Sequence, residues 1–203
     1  TAAVVLAGVQ KGIEQVSKYL MVMLFLLVLV LIVRGLTLPG AIDGVLTFLQ
    51  PDFSKVTPVM VIEAMGLAFF SMSLGMGCMI TYGSYASDET YIPNSAGSVI
   101  GLTTIICFLS GLMVFPAIFV FGFDPSAGPG LTFITMPAVF SQMSGGQFFG
   151  ILFFFLLFVA ALTSSVSLME VVVSFFIDEF HLPRTAMTVV MSILMFVLGI
   201  GAS

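Results

Sequence analysis

Residues 69–77 read Phe69-Phe70-Ser71-Met72-Ser73-Leu74-Gly75-Met76-Gly77, in the middle of an otherwise apolar run. Two serines and two glycines thus fall at the centre of a segment long enough to cross a bilayer. Glycine weakens a helix interior by about 1 kcal/mol relative to alanine. In hydrocarbon, an unpaired backbone N–H or C=O costs several kcal/mol. A break at this place survives only where protein, water or a bound solute pairs the freed groups. A discontinuous helix at mid-membrane depth is therefore a pointer to a solute- or ion-binding site.

Composition places the segment in a membrane. The 203 residues are 60% hydrophobic and only 7% charged, more apolar surface than a soluble domain of this size can bury. Counting about 20 apolar residues per crossing gives spans at about 16–36, 58–83, 97–121, 148–174 and 184–203. The expected fold is an all-α polytopic membrane protein with a broken helix near residues 70–77. The sequence starts at Thr1 and stops at Ser203 within an apolar run, so a part of a longer protein is expected. No basic segment precedes an apolar one at the N-terminus, and no secretory signal is read there. Cys78 and Cys107 both fall in apolar spans and are expected to be buried free thiols rather than a disulfide. A net charge of −5 offers no basic surface to nucleic acid.

The connections differ in character. Segment 37–57 carries Pro39, Gly40, Gly44 and Pro51 and is expected to form an ordered loop with a short helix near 44–50. Segment 84–96 is a polar loop with Asp88, Glu89, Pro93 and Asn94. Segment 122–147 is long and partly apolar, and long loops tend to be functional. Two short helices bent at Pro137 are expected within it. Lys11, Lys18 and Arg184 fall on one side of the spans, Arg34 and Lys55 on the other, a small bias toward a cytoplasmic N-terminus.

A second polar cluster, Ala160-Ala161-Leu162-Thr163-Ser164-Ser165-Val166-Ser167, interrupts the fourth span. Residues 160, 163, 164 and 167 share a helix face. Hydroxyls and carbonyls are hard oxygen ligands suited to a small cation such as Na⁺. Equally, Ser and Thr can simply bond the carbonyl one turn back or pack as small residues. Glu63 and Glu170 are intramembrane carboxylates, which are functional candidates by default. Their bland readings are a water-reached Glu63 at the interface and a Glu170 facing an aqueous vestibule. His181 reads as a solvated loop residue. No transition-metal spacing, no nucleophile–His–acid set and no phosphate-binding glycine loop is visible, so an enzyme is not expected.

Several stretches, in order, resemble the neurotransmitter:sodium symporter family, its prokaryotic branch in particular. Gly8-Val9-Gln10-Lys11-Gly12-Ile13-Glu14 is similar to the cytoplasmic entry of that family's fifth helix. Phe69–Gly77 with Ile80-Thr81-Tyr82-Gly83-Ser84-Tyr85 resembles its broken sixth helix. Leu131-Thr132-Phe133-Ile134-Thr135-Met136-Pro137-Ala138-Val139-Phe140 resembles its fourth extracellular loop. Leu162-Thr163-Ser164-Ser165, then Asp178-Glu179-Phe180, resembles the eighth helix and its exit. The resemblance implies a piece running from the end of helix 4 to part of helix 9, within an inverted-repeat (5+5) fold whose first helices lie outside this sequence.

It also implies roles. Phe70 resembles an aromatic gate over substrate. Ser73, Leu74, Met76, Ser164 and Leu168 resemble contacts of an amino-acid pocket, which these side chains would make suited to an apolar substrate. Ser71 resembles a ligand of a first sodium site. Ala160 through its carbonyl, Thr163 and Ser164 resemble a second. The implied activity is sodium-coupled amino-acid symport by a multi-pass protein of the cell's inner (plasma) membrane, in contact with lipid, with a homodimer as a candidate assembly. Non-transporting amino-acid sensing, or a half-transporter, is the alternative.

Three positions depart from the family pattern. Thr103 stands where the seventh helix usually supplies Asn or Asp to the first sodium site. Cys107 stands where a Glu or a chloride-binding Ser usually occurs, so the usual residues supply neither the fixed negative charge nor a chloride ligand, and chloride is kept only as a candidate ion alongside Na⁺. Leu67 replaces a Gln. Glu63, one turn before Leu67, is the candidate for the compensating charge.

Overall fold

The computed structural model describes residues 1–87, 89–123, 128 and 130–202, without the side chains of Gln10, Lys11, Lys55 and Ala202. Asp88 of the 84–96 loop, part of the 122–147 segment, and the side chains of Lys11 and Lys55 lie outside that description. The described residues are helical throughout their ordered elements. In chain order these are α1 (Ala2–Leu6), a π-helical turn (Val9–Glu14), α2 (Gln15–Leu36), α3 (Ala41–Leu49), a 3-10 turn (Phe53–Lys55), α4 (Pro58–Ser71), α5 (Cys78–Ser84) and α6 (Ile92–Phe121). A π-helical turn (Leu131–Thr135), α7 (Met136–Gln142), α8 (Gly146–Phe180) and α9 (Arg184–Ala202) follow.

Among the described residues, four stretches are long and apolar enough to cross a membrane: Gly12–Leu36, Ile92–Phe121, Gly146–Phe180 and Arg184–Gly201. The 35 residues of α8 rise about 1.5 Å each, well beyond the roughly 30 Å of a hydrocarbon core. Apolar counting locates the crossing, whereas a helix runs on into polar residues as long as it pairs its own backbone. For that reason α6 and α8 extend past the apolar windows 97–121 and 148–174. The segment 58–83 is divided into α4 and α5, neither of which reaches crossing length by itself.

The chain forms two compact units. The first comprises Thr1–Val22, Gly66–Ile92 and Val159–Ser203. Its core is Val5, Ile13, Val166, Met169 and Val173, flanked by Tyr82, Ile177, Met187 and Met191. Gly12 is needed here, because a Cβ at that position would lie 2.1 Å from the Val4 carbonyl oxygen. The close approach brings the π-helical turn back onto α1.

The second unit comprises Met23–Met65 and Pro93–Phe158. Val28, Leu31 and Ile32 of α2, Met113, Ala117 and Ile118 of α6, Val139 and Phe140 of α7, and Phe153 and Leu156 of α8 form its core. Apolar lipid offers no solvent penalty to drive such packing, so close van der Waals fit must supply it, and small residues gather at the contacts. Helix α3 shows this. Gly44 lies so close to α6 that a Cβ would sit 2.9 Å from Pro116 Cα and 2.8 Å from Phe119 Cβ. Phe48 then stacks on Phe115 with centroids 4.8 Å apart, over the flat surface of Gly111.

Three local expectations are corrected. Helix α3 starts at Ala41 rather than near 44, because Gly40 turns the chain in the left-handed region (φ 83°) and Asp43 favours the helix N-terminus. The segment Leu131–Gln142 is one continuous helix, π-helical to Thr135 and α-helical from Met136, rather than two helices bent at Pro137. Cys78 is buried as expected, but Cys107 is exposed, since the described residues place nothing over that face of α6.

Candidate functional site

The break between α4 and α5 belongs to the first unit and has a backbone cause. Three of five consecutive residues take positive φ: Ser73 at 56°, Gly75 at 80° and Gly77 at 78°. The last bonds of α4 run from the amides of Ser73 and Leu74 to the carbonyls of Phe70 and Phe69. The pattern resumes with the Thr81 amide on the Gly77 carbonyl. Between them, the amides of Gly75, Met76 and Gly77 have no backbone acceptor among the described residues. Glycine takes such φ freely, but Ser73 does so at about 1–2 kcal/mol. Strain of this kind in a non-glycine residue is a pointer to function.

Packing holds the break in place. A Cβ on Gly77 would come within 2.9 Å of Val171 Cγ1 on α8, and one on Gly75 within 2.9 Å of Phe69 Cε1. The start of α5 therefore lies directly on α8.

On α8 itself, Thr163 Oγ1 donates to the Ala160 carbonyl at 2.8 Å, and Ser165 Oγ to the Leu162 carbonyl at 2.8 Å. These are local back-bonds of the ordinary kind. The Thr163 hydroxyl keeps its lone pairs free, whereas Ser165 Oγ also accepts from Thr1 Oγ1 at 2.7 Å. Ala160 O and Thr163 Oγ1 thus stand as two adjacent hard oxygens, with Ser164 exposed beside them.

Two tyrosines join α5 and its C-terminal end to α8. Tyr82 donates to Ser167 Oγ at 2.8 Å, and Tyr85 to Glu170 Oε1 at 2.7 Å. Arg184, at the start of α9, holds Glu170 Oε2 through Nη2 and the Val5 carbonyl through Nε. One buried carboxylate therefore links α1, the α5 end, α8 and α9. Burial, and then the Glu170 carboxylate that accepts its hydrogen, push the Tyr85 phenol up to about 12.

This network corrects the sequence reading of Glu170. The carboxylate does not face a vestibule; it is 0% exposed and fully paired. A signal was present. Tyr82 and Tyr85 are three apart, as are Ser167 and Glu170, so one helical register satisfies both pairs. In the sequence, Arg184 stands beside Pro183 in a charged connection, with nothing to mark it as the partner of Glu170.

The other implied residues are placed as follows. Ser73, Leu74 and Met76 are half-buried, while Phe70, Ser71, Ser164 and Leu168 are exposed. Thr103, half-buried, and Glu63, exposed, belong to the second unit. The clefts of about 400 and 760 Å³ also lie in the second unit, and none of the implied pocket or sodium residues lines them. Among the described residues no three His, Cys, Asp or Glu side chains gather as for a metal ion.

Comparison with known proteins adds the following. Residues 1–202 match the model of the sodium:neurotransmitter symporter family. An uncharacterised sodium-dependent transporter of Haemophilus influenzae is 44% identical over 178 residues, covering 87% of this chain and 39% of that protein. The uncharacterised sodium-dependent transporter YhdH of Bacillus subtilis is 43% identical over 200 residues, 98% of this chain and 44% of that protein. The crystal structure of MhsT in complex with L-phenylalanine superposes with a TM-score of 0.84 at 42% identity, over 98% of this chain and 45% of that one. The chain thus spans less than half the length of these relatives.

Proposed function

The chain belongs to the sodium:neurotransmitter symporter family, and from that membership we propose that it forms part of a transporter coupling amino-acid uptake to sodium by alternating access. The observation that carries the reading is the α4–α5 break, with Ser73, Gly75 and Gly77 at positive φ and Gly77 packed on α8. Amides freed there are suited to the carboxylate of a zwitterion, and half-helix ends add their dipoles. Phe70, Ser73, Leu74, Met76, Ser164 and Leu168 would form one wall of the pocket. The apolar side chains among them suit an apolar amino acid. The relative solved with L-phenylalanine supports that choice, and the name of a Drosophila mojavensis relative, a sodium-dependent nutrient amino acid transporter 30% identical over 191 residues, supports an amino acid as the substrate class.

Sodium is assigned to two places. Ala160 O, Thr163 and Ser164 would hold one ion, with Thr163 Oγ1 and Ala160 O already 2.8 Å apart. Ser71 would contribute to the other, with chloride as the candidate for the balancing charge that Leu67 does not supply. A sodium gradient does the work: each charge moved through 100 mV is worth about 2.3 kcal/mol. The remainder of the pocket is assigned to helices outside these 203 residues, in a plasma-membrane protein that lipid surrounds, with a homodimer as the candidate assembly.

The altered residues Leu67, Thr103 and Cys107 favour one rival, an amino-acid sensor that binds without net flux. Sodium-dependent binding to the full-length protein tests the site itself. Thr163→Val removes a sodium ligand at nearly constant volume, and sodium affinity is expected to fall at least tenfold. An unchanged affinity would remove Thr163 from the site.

A further inference from the structure

We propose that the cleft headed by Arg34 in the second unit is a phospholipid site, with the headgroup phosphate on the guanidinium and an acyl chain along α2. Leu29, Val30, Val33 and Arg34 follow one stripe of α2, Thr37 continues it, and Phe149 of α8 closes the other side of a cleft of about 400 Å³. Arg34 lies two residues before the end of the span Gly12–Leu36, the depth at which headgroups meet hydrocarbon. Val30 and Val33 below it are 46% and 62% exposed, leaving an open apolar trough.

The charge at the head of the trough is held but not neutralised. Arg34 donates Nη1–H to Thr37 Oγ1 at 3.0 Å and Nη2–H to the Ser144 carbonyl at 2.9 Å, and its guanidinium sits 5.3 Å from the Phe149 ring centroid. All three partners are uncharged, and no carboxylate pairs with Arg34 among the described residues. A guanidinium has five N–H groups, so three are left with their plane already fixed. That is a fork suited to two phosphate oxygens. Charge complementarity and depth together point to a phospholipid, and the absence of a countercharge favours an anionic one.

The test uses the full-length transporter in nanodiscs of phosphatidylcholine, with and without phosphatidylglycerol, reading the unfolding midpoint and the lipid retained by native mass spectrometry. The wild type is expected to unfold several degrees higher with phosphatidylglycerol and to retain it. Val33→Trp fills the trough and leaves the contacts of Arg34 intact, so it should keep the phosphatidylcholine midpoint and lose the increment. Arg34→Gln should lower both midpoints and lose the increment. Inorganic phosphate added to phosphatidylcholine discs should shift nothing; a shift equal to that of the lipid would overturn the acyl-chain half of the assignment. Equal wild-type midpoints in the two lipids, or a Val33→Trp protein that keeps the increment, would overturn the site and leave Arg34 as a clip between α2 and the 143–146 turn.

Discussion

The Tyr85 hydroxyl donates to Oε1 of Glu170 at 2.7 Å, while Arg184 takes Oε2 of the same carboxylate. Glu170 has no exposed surface, yet Arg184 keeps 26% of its side-chain exposure. The charge is therefore compensated by a cation that water still reaches. Such an arrangement rigidifies the joint of four elements without sealing two charges in hydrocarbon.

Removing one partner of a buried pair costs about 3–5 kcal/mol, most of it the penalty for the charge left behind. Arg184→Ala leaves Glu170 stranded and is expected in that range. Glu170→Ala leaves only the quarter-exposed Arg184 and should cost less. Denaturation of the two variants in mild detergent checks the order. Equal losses would mean that the pair is not held as described.

The pH dependence of Tyr85 has a definite sign. Its pKa lies at about 12 in the fold against 10 for a free phenol, so folding favours the protonated form. The contribution is full below pH 10 and is lost as pH rises toward about 12. Stability between pH 6 and 9 should not depend on this titration, and Tyr85→Phe should flatten the loss of stability above pH 10. An unfolding series against pH in wild type and variant reads the difference directly.

Gly77→Ala meets two obstacles, a φ of 78° and a contact 2.9 Å from Val171 Cγ1. The backbone part is worth about 1–2 kcal/mol. Adding Val171→Ala should recover the contact part and leave the backbone part. A double-mutant cycle on stability is expected to show that coupling; strictly additive losses would place Val171 away from the break.

Thr188 on α9 is fully buried, and its hydroxyl is the buried side-chain polar atom without a partner among the described residues. Thr188→Val exchanges that hydroxyl for a methyl of similar shape. It should stabilise the fold by about 1 kcal/mol, seen as a raised unfolding midpoint. A loss of stability would show that the hydroxyl is paired in the whole protein.

Much of the fold could be read from the sequence for a physical reason. Hydrocarbon admits little besides helices, so apolar run length nearly dictates the elements, and Ser73-Leu74-Gly75-Met76-Gly77 marks its own break. Local chemistry was harder. The polar run Thr163–Ser167 is compatible with both a back-bonded helix face and an ion site, and the back-bonds of Thr163 and Ser165 are compatible with both as well. The role of Glu170 depended on a partner 14 residues away across a helix end, which periodicity does not encode. Gly44 fell in a segment expected to be largely loop, and nothing in the sequence singled out Gly111. They proved to be the floor on which α3 and Phe48 rest, a three-dimensional fit with no one-dimensional pattern.

The central claim is sodium-coupled movement of an amino acid. The most direct test is accumulation of a mixture of amino acids by proteoliposomes containing the full-length protein, with an inward sodium gradient and with potassium in its place. The account predicts that one or more apolar amino acids rise above the outside concentration only with sodium. Equal, non-accumulating uptake in the two conditions, or sodium-dependent binding without flux, would contradict it.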